Sequence, residues 1–438
     1  MTLNRSDISS PDTAGPSENS SHSMAIIGAG IIGLCCALQA QAQGYQVTLY
    51  DKNQPSKGAS FGNAGYLATE LIDPLATIST LKIAPWLWLN PRGPLFLPAS
   101  HMLKVLPWLK RFINAAKPDQ ANLSRQALTR LNKESVPAWR RLLSIVGAED
   151  ELVRSGYLLV WENKRKKQQA LNHIKYMQDS GVACEYAEGE KLQALEPELG
   201  KRLSHAIYYP EACRVRDPYQ LCDRLFQAFL QQGGHFIREQ VEQVTPAPGK
   251  INIITLSTET GVKENVFDNA IICTGAWSKK LLRPIGLDVP LEAERGYHIT
   301  LPDQQAVIKH AIGSAERRFV ITPLASGLRA VGVTELGGLE ADPCSQRFNM
   351  LKHHLLQLLP VLADKPDSSY EKWMGHRPTL PDSLPVIDQH PGYPNLLFAF
   401  GNQHLGLTQA AATAELVLSL VKGQQGFMPA HYFSVSRF

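Results

Sequence analysis

Residues 25–33 read Ala25-Ile26-Ile27-Gly28-Ala29-Gly30-Ile31-Ile32-Gly33, and an acidic residue, Asp51, follows the last glycine by 18 positions. The apolar run Met24 to Ile27 has the length and branching of a buried parallel strand. Gly28 permits a tight turn, Gly30 lets backbone approach a pyrophosphate, and Gly33 lets the next helix pack closely on the strand. That helix runs through Leu34-Cys35-Cys36-Ala37-Leu38 to about Gln43, with Gly44 as its stop. Its free N–H groups and positive dipole end face the phosphates, at Ile31 and Ile32. Val47-Thr48-Leu49-Tyr50 is the second strand, with Asp51 placed to accept from ribose hydroxyls and Lys52 beside it. Strand, turn, helix, glycine stop, strand and acid in this order describe a dinucleotide site in one βαβ unit.

At 438 residues the chain has room for two domains, or one large domain with an insertion. The net charge of +4 comes from 44 basic and 40 acidic residues spread along the sequence, which gives no case for a nucleic-acid partner. Seven cysteines include no CxxC pair and no Cys/His cluster, so neither a disulfide framework nor a metal site is expected. Cys35, Cys36 and Cys273 fall in apolar runs as small buried residues, and a reducing cytoplasm fits best. Residues 1–22 are polar and proline-bearing, which reads as a disordered tail without the apolar segment of an export signal. Translation could start at Met1 or at Met24. No run of eighteen apolar residues is evident, so no membrane-crossing helix is expected.

The segment 71–116 is unusual. Ile83-Ala84-Pro85-Trp86-Leu87-Trp88-Leu89, Pro94 to Pro98 and Val105-Leu106-Pro107-Trp108-Leu109 are each interrupted by proline, which argues against long helices. Trp86, Trp88 and Trp108 beside Lys82, Arg92, Lys104, Lys110 and Arg111 would suit a face resting on lipid headgroups, through 82–111. The alternative is a proline-stiffened excursion that covers the cleft or the second domain. From Asn122 to Val146 the pattern is helical, with a kink or break expected at Pro137. Strands are expected at Tyr157–Trp161, Ala206–Tyr209, His235–Arg238, Val241–Val244, Ile251–Leu256, Asn269–Cys273, Tyr297–Leu301, Phe319–Thr322, Leu328–Val333 and Leu396–Phe400. Asp217-Pro218 reads as an N-cap followed by proline at the first helical position, opening a helix to Gln232. Further helices are expected at Asn349–Leu358 and Thr408–Val421.

Four separated pieces resemble the FAD-dependent amine oxidoreductases of the D-amino acid oxidase superfamily. They are the glycine turn with Asp51; the small-residue loop Gly58-Ala59-Ser60-Phe61-Gly62-Asn63-Ala64-Gly65; Ile271-Ile272-Cys273-Thr274-Gly275-Ala276-Trp277; and Gly375-His376-Arg377-Pro378-Thr379-Leu380-Pro381-Asp382 with Gly401-Asn402-Gln403-His404-Leu405-Gly406-Leu407-Thr408. The second and fourth resemble bacterial D-amino acid dehydrogenases. Arg295-Gly296-Tyr297-His298 and the run 402–408 resemble the branch acting on D-proline or cis-4-hydroxy-D-proline. The resemblance implies an α/β (α+β overall) chain with a Rossmann-type FAD-binding domain and an inserted, mostly antiparallel substrate domain. It divides the chain into FAD-binding parts at 23–70, 236–285 and 371–425, a Trp/Pro-rich and helical part at 71–150, a mixed part at 151–235, a substrate domain at 286–370 and a tail at 426–438. The implied cofactor contacts beyond the first turn are Ser60, Asn63, Gly65, Val241, Thr274, Gly275, Gly401, Leu405, Gly406, Leu407 and Thr408.

The chemistry supports flavin over nicotinamide, since no acid or base signature of a nicotinamide enzyme is evident. A glycine-rich turn leading into a helix at 401–408 suits the pyrimidine edge of a flavin, whose reduced ring is anionic. Hydride transfer from an amino acid's α-carbon needs the protein mainly to orient the substrate. A substrate carboxylate calls for arginine, and Arg377 is the candidate, with a structural ion pair as its other reading. Tyr297 or His298 would face the cleft by strand alternation, and His404 or Gln403 could reach the substrate ring or flavin edge. His376 reads as packing and Asp382 as a turn residue. No base is required, because the amine can lose its proton to solvent. Cys344 is the last cysteine and the loop 58–65 has no histidine, so FAD is expected to be non-covalent. The expected reaction takes a D-amino acid to its imino acid and passes electrons to a respiratory or quinone acceptor, on a cytoplasmic protein peripheral to the inner face of the membrane. An oxygen-using glycine or sarcosine oxidase and a flavin-binding electron-transfer subunit are the alternatives.

Overall fold

The computed structural model describes residues 22–90, 93–257 and 261–438. The tail expected at the N-terminus therefore lies, but for His22, outside the described residues, as does Arg92.

Strand β1 (Ser23–Ile27), helix α1 (Ile31–Ala42) and strand β2 (Gln46–Tyr50) form the expected unit. They belong to a six-stranded sheet ordered His235–Ile237, β2, β1, Asn269–Ile272, Tyr393–Phe400, Val386–His390. The first five strands run parallel and the last returns antiparallel. β1 is buried along its length after Ser23, as a central strand covered on both faces must be. One face packs α1, the helix Pro218–Gln231 and the C-terminal helix Gly406–Val421. The other is covered by a meander, Gln240–Ala247, Lys250–Ser257 and Gly261–Phe267, whose inward residues Val244, Ile251, Ile253 and Phe267 meet Ala25, Ile27 and Tyr50. The last strand of that meander is too polar to have been expected.

The second sheet has nine strands and is mostly antiparallel, in the order Glu371–Thr379, Glu292–Leu301, Gly327–Leu336, Phe319–Leu324, Ala311–Ser314, Tyr157–Trp161, His205–Tyr209, Glu185–Glu188, with Leu95–Phe96 added beside Gly327–Leu336. Its core packs against the helix Ser345–Leu358 through Phe348, Leu351, Leu355 and Leu358. The strand Glu371–Thr379 is an edge of this second sheet and not of the six-stranded one, although residue 371 was expected to open a part of the first domain. Asp217 caps its helix as expected, accepting from the Tyr219 and Gln220 N–H groups.

Prolines do not break the helices as expected. α2 (Ile78–Leu89) contains Pro85, α3 (Met102–Ala115) contains Pro107, and α4 (Pro118–Val146) runs through Pro137 for 29 residues. An interior proline costs roughly 3 kcal/mol. In α4 that loss is offset by burial on both sides of Pro137: Leu128 and Leu131 before it, Trp139, Leu142 and Leu143 after it. α3 is likewise held by buried Val105 and Trp108. α2 starts on a Thr77 cap and buries no side chain.

Contrary to expectation, one stretch, Gln403–Val421, is long and apolar enough to cross a membrane by length and composition. It packs instead against α1, α4 and the sheet, and its apolarity is that of a core helix. Residues 426–438, expected as a tail, are anchored: Phe433 is buried, Asp388 accepts from Ser434 and Val435, and Arg437 pairs with Asp382 at 2.7 Å.

Candidate active site

A cavity of about 2190 Å³ runs between the two sheets and is walled by both. At one end lie Gly28, Gly30, Ile31, Ile32, Asp51 and Lys52. Gly28 has φ +106°, and a side chain there would meet the Cys273 carbonyl oxygen at 2.6 Å. A Cβ on Gly33 would stand 1.8 Å from the Gly28 carbonyl oxygen, so this glycine is required for helix–strand packing and lies behind the wall. Asp51 accepts from the Ala29 and Asn53 N–H groups at 2.9 Å each. Burial raises its pKa despite those bonds. Lys52 lies over the Trp277 ring.

The loop 58–65 serves the same end. Ser60 Oγ accepts from the Ile31 N–H at 2.9 Å, and Asn63 accepts from Gly65. Ser60 and Asn63 line the cavity, whereas Gly65, at φ +74°, abuts Leu324 and Pro218 behind it. Val241, Thr274 and Gly275 complete this part of the wall. At the far end, Gly401 (φ +90°), Gly406 and Leu407 line the cavity. Leu405 and Thr408 do not; Thr408 Oγ1 accepts from the Ala68 N–H at 3.0 Å. The C-terminal helix has no side-chain cap, and neither has α1 at Gly30. Two helix N-termini thus open into one cavity, that of α1 with its Ile31 N–H already taken by Ser60 Oγ, and both offer anion-stabilising donors.

Arg377 lines the cavity from the strand Glu371–Thr379. Its Nη1 donates to Glu294 Oε1 at 2.7 Å and to the Val333 carbonyl at 3.0 Å. Glu294 also accepts from the Thr334 and Thr379 hydroxyls, so this buried carboxylate is fully used in fixing the arginine. Arg377 therefore has the structural ion pair of the other reading, while its Nε–Nη2 edge has no partner among the described residues. That edge lies over Gly296, where an added Cβ would come within 2.4–2.8 Å of the guanidinium. His404 lines the same region, and burial pushes its pKa down to about 4, which leaves a neutral imidazole. Gln403, at φ +51°, turns its side chain back to the Leu380 carbonyl.

Tyr297 and His298 do not reach the cavity. A bulge between Arg295 and Tyr297 accompanies the turning of Tyr297 into the core of the second sheet, where its hydroxyl donates to Glu335 and accepts from the Cys344 N–H. His298 lies two residues beyond Gly296 on the opposite face from Tyr297, but the loop 58–65 roofs it. Its Nδ1 is 3.2 Å from the Gly62 carbonyl, its ring stacks on Trp373, and burial pushes its pKa down to about 3. Asp382 is a turn residue as expected, accepting from Leu384 and Arg437. His376 lines the cavity edge-on to Trp277.

Several charged cavity residues escaped the sequence reading, among them Glu294, Glu70 and Arg318. Glu70 was signalled by standing alone in an apolar run, and Glu294 by its place beside Arg295-Gly296. Arg318, at φ +54°, follows Arg317 and carried no signal; its guanidinium has no partner among the described residues. Among those residues no cluster suited to a metal occurs.

Comparison with known proteins gives a consistent picture. A family model described as FAD dependent oxidoreductase (DAO) matches residues 23–420. A D-amino-acid oxidase from Bradyrhizobium diazoefficiens is 32% identical over 419 residues, covering 95% of this chain and 98% of the relative. Among solved structures, glycine oxidase from Bacillus cereus superposes with a TM-score of 0.72 at 19% identity, over 95% of this chain and 99% of that one. L-proline dehydrogenase from P. horikoshii gives 0.71 at 18%, over 95% and 98%. At such identities these two structures establish the fold alone.

Proposed function

Because this chain belongs to the DAO family of FAD-dependent oxidoreductases, we propose that it oxidises a D-amino acid to the imino acid and passes the electrons to a quinone-type acceptor. Its cofactor is FAD, and it acts on amino acids. The cavity fits the cofactor: two helix N-termini, a glycine turn and an acid beside it all line it. Bound FAD supplies the hydride acceptor. The open edge of Arg377 holds the substrate carboxylate, and Glu294 holds Arg377. Neutral His404 borders that site without competing for the anion. Attachment of FAD is non-covalent in this reading; Cys273, which lines the cavity, is held as a thiol by burial.

The observation that carries the proposal is the Nε–Nη2 edge of Arg377, unpartnered among the described residues, in the same cavity as the two helix N-termini. Anaerobic mixing with D- and L-amino acids, glycine and sarcosine tests it through loss of flavin absorbance. D-Isomers should bleach the flavin, with D-proline or cis-4-hydroxy-D-proline fastest; bleaching by L-isomers alone would overturn the stereochemical assignment. A second reading, an oxygen-dependent oxidase, is favoured by the name of the Bradyrhizobium relative. Rapid reoxidation in air with stoichiometric peroxide would establish that reading over the dehydrogenase.

The proposed acceptor lies in the inner membrane, on its cytoplasmic face. Trp86, Leu89 and Leu103 are 76%, 73% and 80% exposed on α2 and α3, too concentrated for an ordinary solvated face. Lys82, Lys104, Lys110 and Arg111 are exposed among them, a pattern suited to anionic lipid. Trp88, Trp108 and Phe112 of the same two helices line the cavity, so an apolar acceptor leaving the bilayer would meet an apolar entrance. The protein should co-sediment with anionic vesicles, and Trp86→Ser with Leu89→Ser and Leu103→Ser should weaken that at least about tenfold. Wild-type protein remaining in the supernatant would remove the membrane from the proposal.

A further inference from the structure

Glu70 is 7% exposed, yet it lines the cavity. Its Oε2 accepts a 2.5 Å bond from the Tyr66 hydroxyl, and the Tyr66 ring stacks on Tyr157 at 4.4 Å. Tyr157 in turn lies against Tyr209, with Cys184 close by. The three tyrosines, Tyr66, Tyr157 and Tyr209, are the titratable groups that face Glu70, and burial keeps each of them protonated. No lysine, arginine or histidine pairs with the carboxylate among the described residues. Ala68, two residues earlier, bonds Thr408 at the head of the C-terminal helix. Glu70 is thus two residues from a contact with the head of that helix, and it lines the same cavity as Gly406 and Leu407. A buried acid without a cation is costly to a fold, and this one opens toward a space expected to hold an amino acid.

A bound amino acid is a zwitterion, and Arg377 answers only its carboxylate. We propose that Glu70 receives the substrate's ammonium group and takes one proton from it before hydride transfer. The step is balanced without a further reactant: R–NH3+ and the Glu70 carboxylate give R–NH2 and the Glu70 carboxylic acid. The nitrogen lone pair so freed assists loss of hydride from the α-carbon. Tyr66 holds the carboxyl in place as a positioning residue. This inference rests on the amino-acid reading above. Burial supports it by raising the pKa of Glu70 to about 7, against the opposing pull of the Tyr66 bond. The group is a carboxylate, able to take the proton, above that pH and a carboxylic acid below it.

The test is ligand binding to the FAD holoenzyme, read from the flavin absorbance shift between pH 6 and 8. The two probes are 2-methylalanine, which has an amine but no α-hydrogen, and isobutyrate, which has neither amine nor oxidisable centre. Wild-type affinity for 2-methylalanine should rise through pH 7, while that for isobutyrate does not. In Glu70→Gln the rise should vanish, with binding of 2-methylalanine at pH 8 weakened roughly 10- to 100-fold. Tyr66→Phe, which keeps the carboxyl, should bind and show its inflection at higher pH. An inflection retained in Glu70→Gln, or the same profile for both ligands, would overturn the inference. The predicted profile in a protein that no D-amino acid bleaches would leave Glu70 in its role and sink the redox assignment. A flat profile in an enzyme that D-amino acids do bleach would sink the role of Glu70 alone.

Discussion

Arg377→Ala should lower kcat/KM for amino-acid substrates by about 10³-fold, since removing one partner of a desolvated bidentate charge pair costs roughly 2–5 kcal/mol. It should also lower Tm. Glu294 is 4% exposed on its side chain and would keep only the Thr334 and Thr379 hydroxyls, a stranded buried carboxylate costing on the order of 3–5 kcal/mol. The two effects are separable. Arg377→Met combined with Glu294→Gln removes both charges, so it should recover most of the lost stability and none of the activity. Arg377→Lys should recover some stability only, because a lysine cannot present two donors in one plane to a carboxylate. Steady-state kinetics beside thermal unfolding of the three variants decides the matter. Wild-type kcat/KM in Arg377→Ala would move the carboxylate site elsewhere in the cavity, with Arg318 as the unpaired guanidinium available to hold it.

Gly33→Ala should yield protein without bound flavin. Its new methyl would fall 1.8 Å from the Gly28 carbonyl oxygen; the first is fixed to the helix backbone and the second is part of the turn's, so neither can swing aside. α1 would have to lift from β1, taking the phosphate-facing N–H groups with it, at a cost above about 3 kcal/mol. Gly44→Ala is the matched control. Gly44, unlike the helical Gly33, has a positive φ, +88°, but nothing stands within 4 Å of an added Cβ. That variant should lose only about 1 kcal/mol and remain yellow. Flavin absorbance of the purified proteins and titration with FAD separate the cases. Yellow Gly33→Ala protein with the wild-type Tm would mean that this turn does not hold the cofactor.

What was legible in the sequence was local. The turn at 28–33, the Asp217-Pro218 helix start and the strand at 269–272 each depend on neighbours within one element, and their residue types say so. The prolines at 107 and 137 misled because their cost is local while the compensating burial of Trp108, Trp139 and Leu142 comes from distant packing. The orientation of Tyr297 and His298 likewise depended on a bulge and on a loop 236 residues away in sequence from His298. Arg377 was readable as a candidate, but the Glu294 carboxylate that fixes it lies 83 residues earlier and was not. Glu70 was overlooked for a different reason. A lone acid in an apolar run is visible, but only its placement against Tyr66 and the cavity gives it a chemical task.

The order of strands in the parallel sheet bears on how the polypeptide is made. Ile26, Ile271 and Leu397 are successive rungs of the same sheet, yet their codons are separated by most of the message. While the ribosome is still reading the first half, β1 has only β2 beside it and leaves its other edge unpaired. Its second neighbour arrives with residues 269–272, and the strand and helix that finish the layer, Tyr393–Phe400 and Gly406–Val421, arrive last. Such long-range pairing folds slowly and leaves apolar edges exposed meanwhile. The sheet that carries the glycine turn is therefore completed only near the end of synthesis, and its apolar edges wait longer for their partners than those of a sheet built in sequence order.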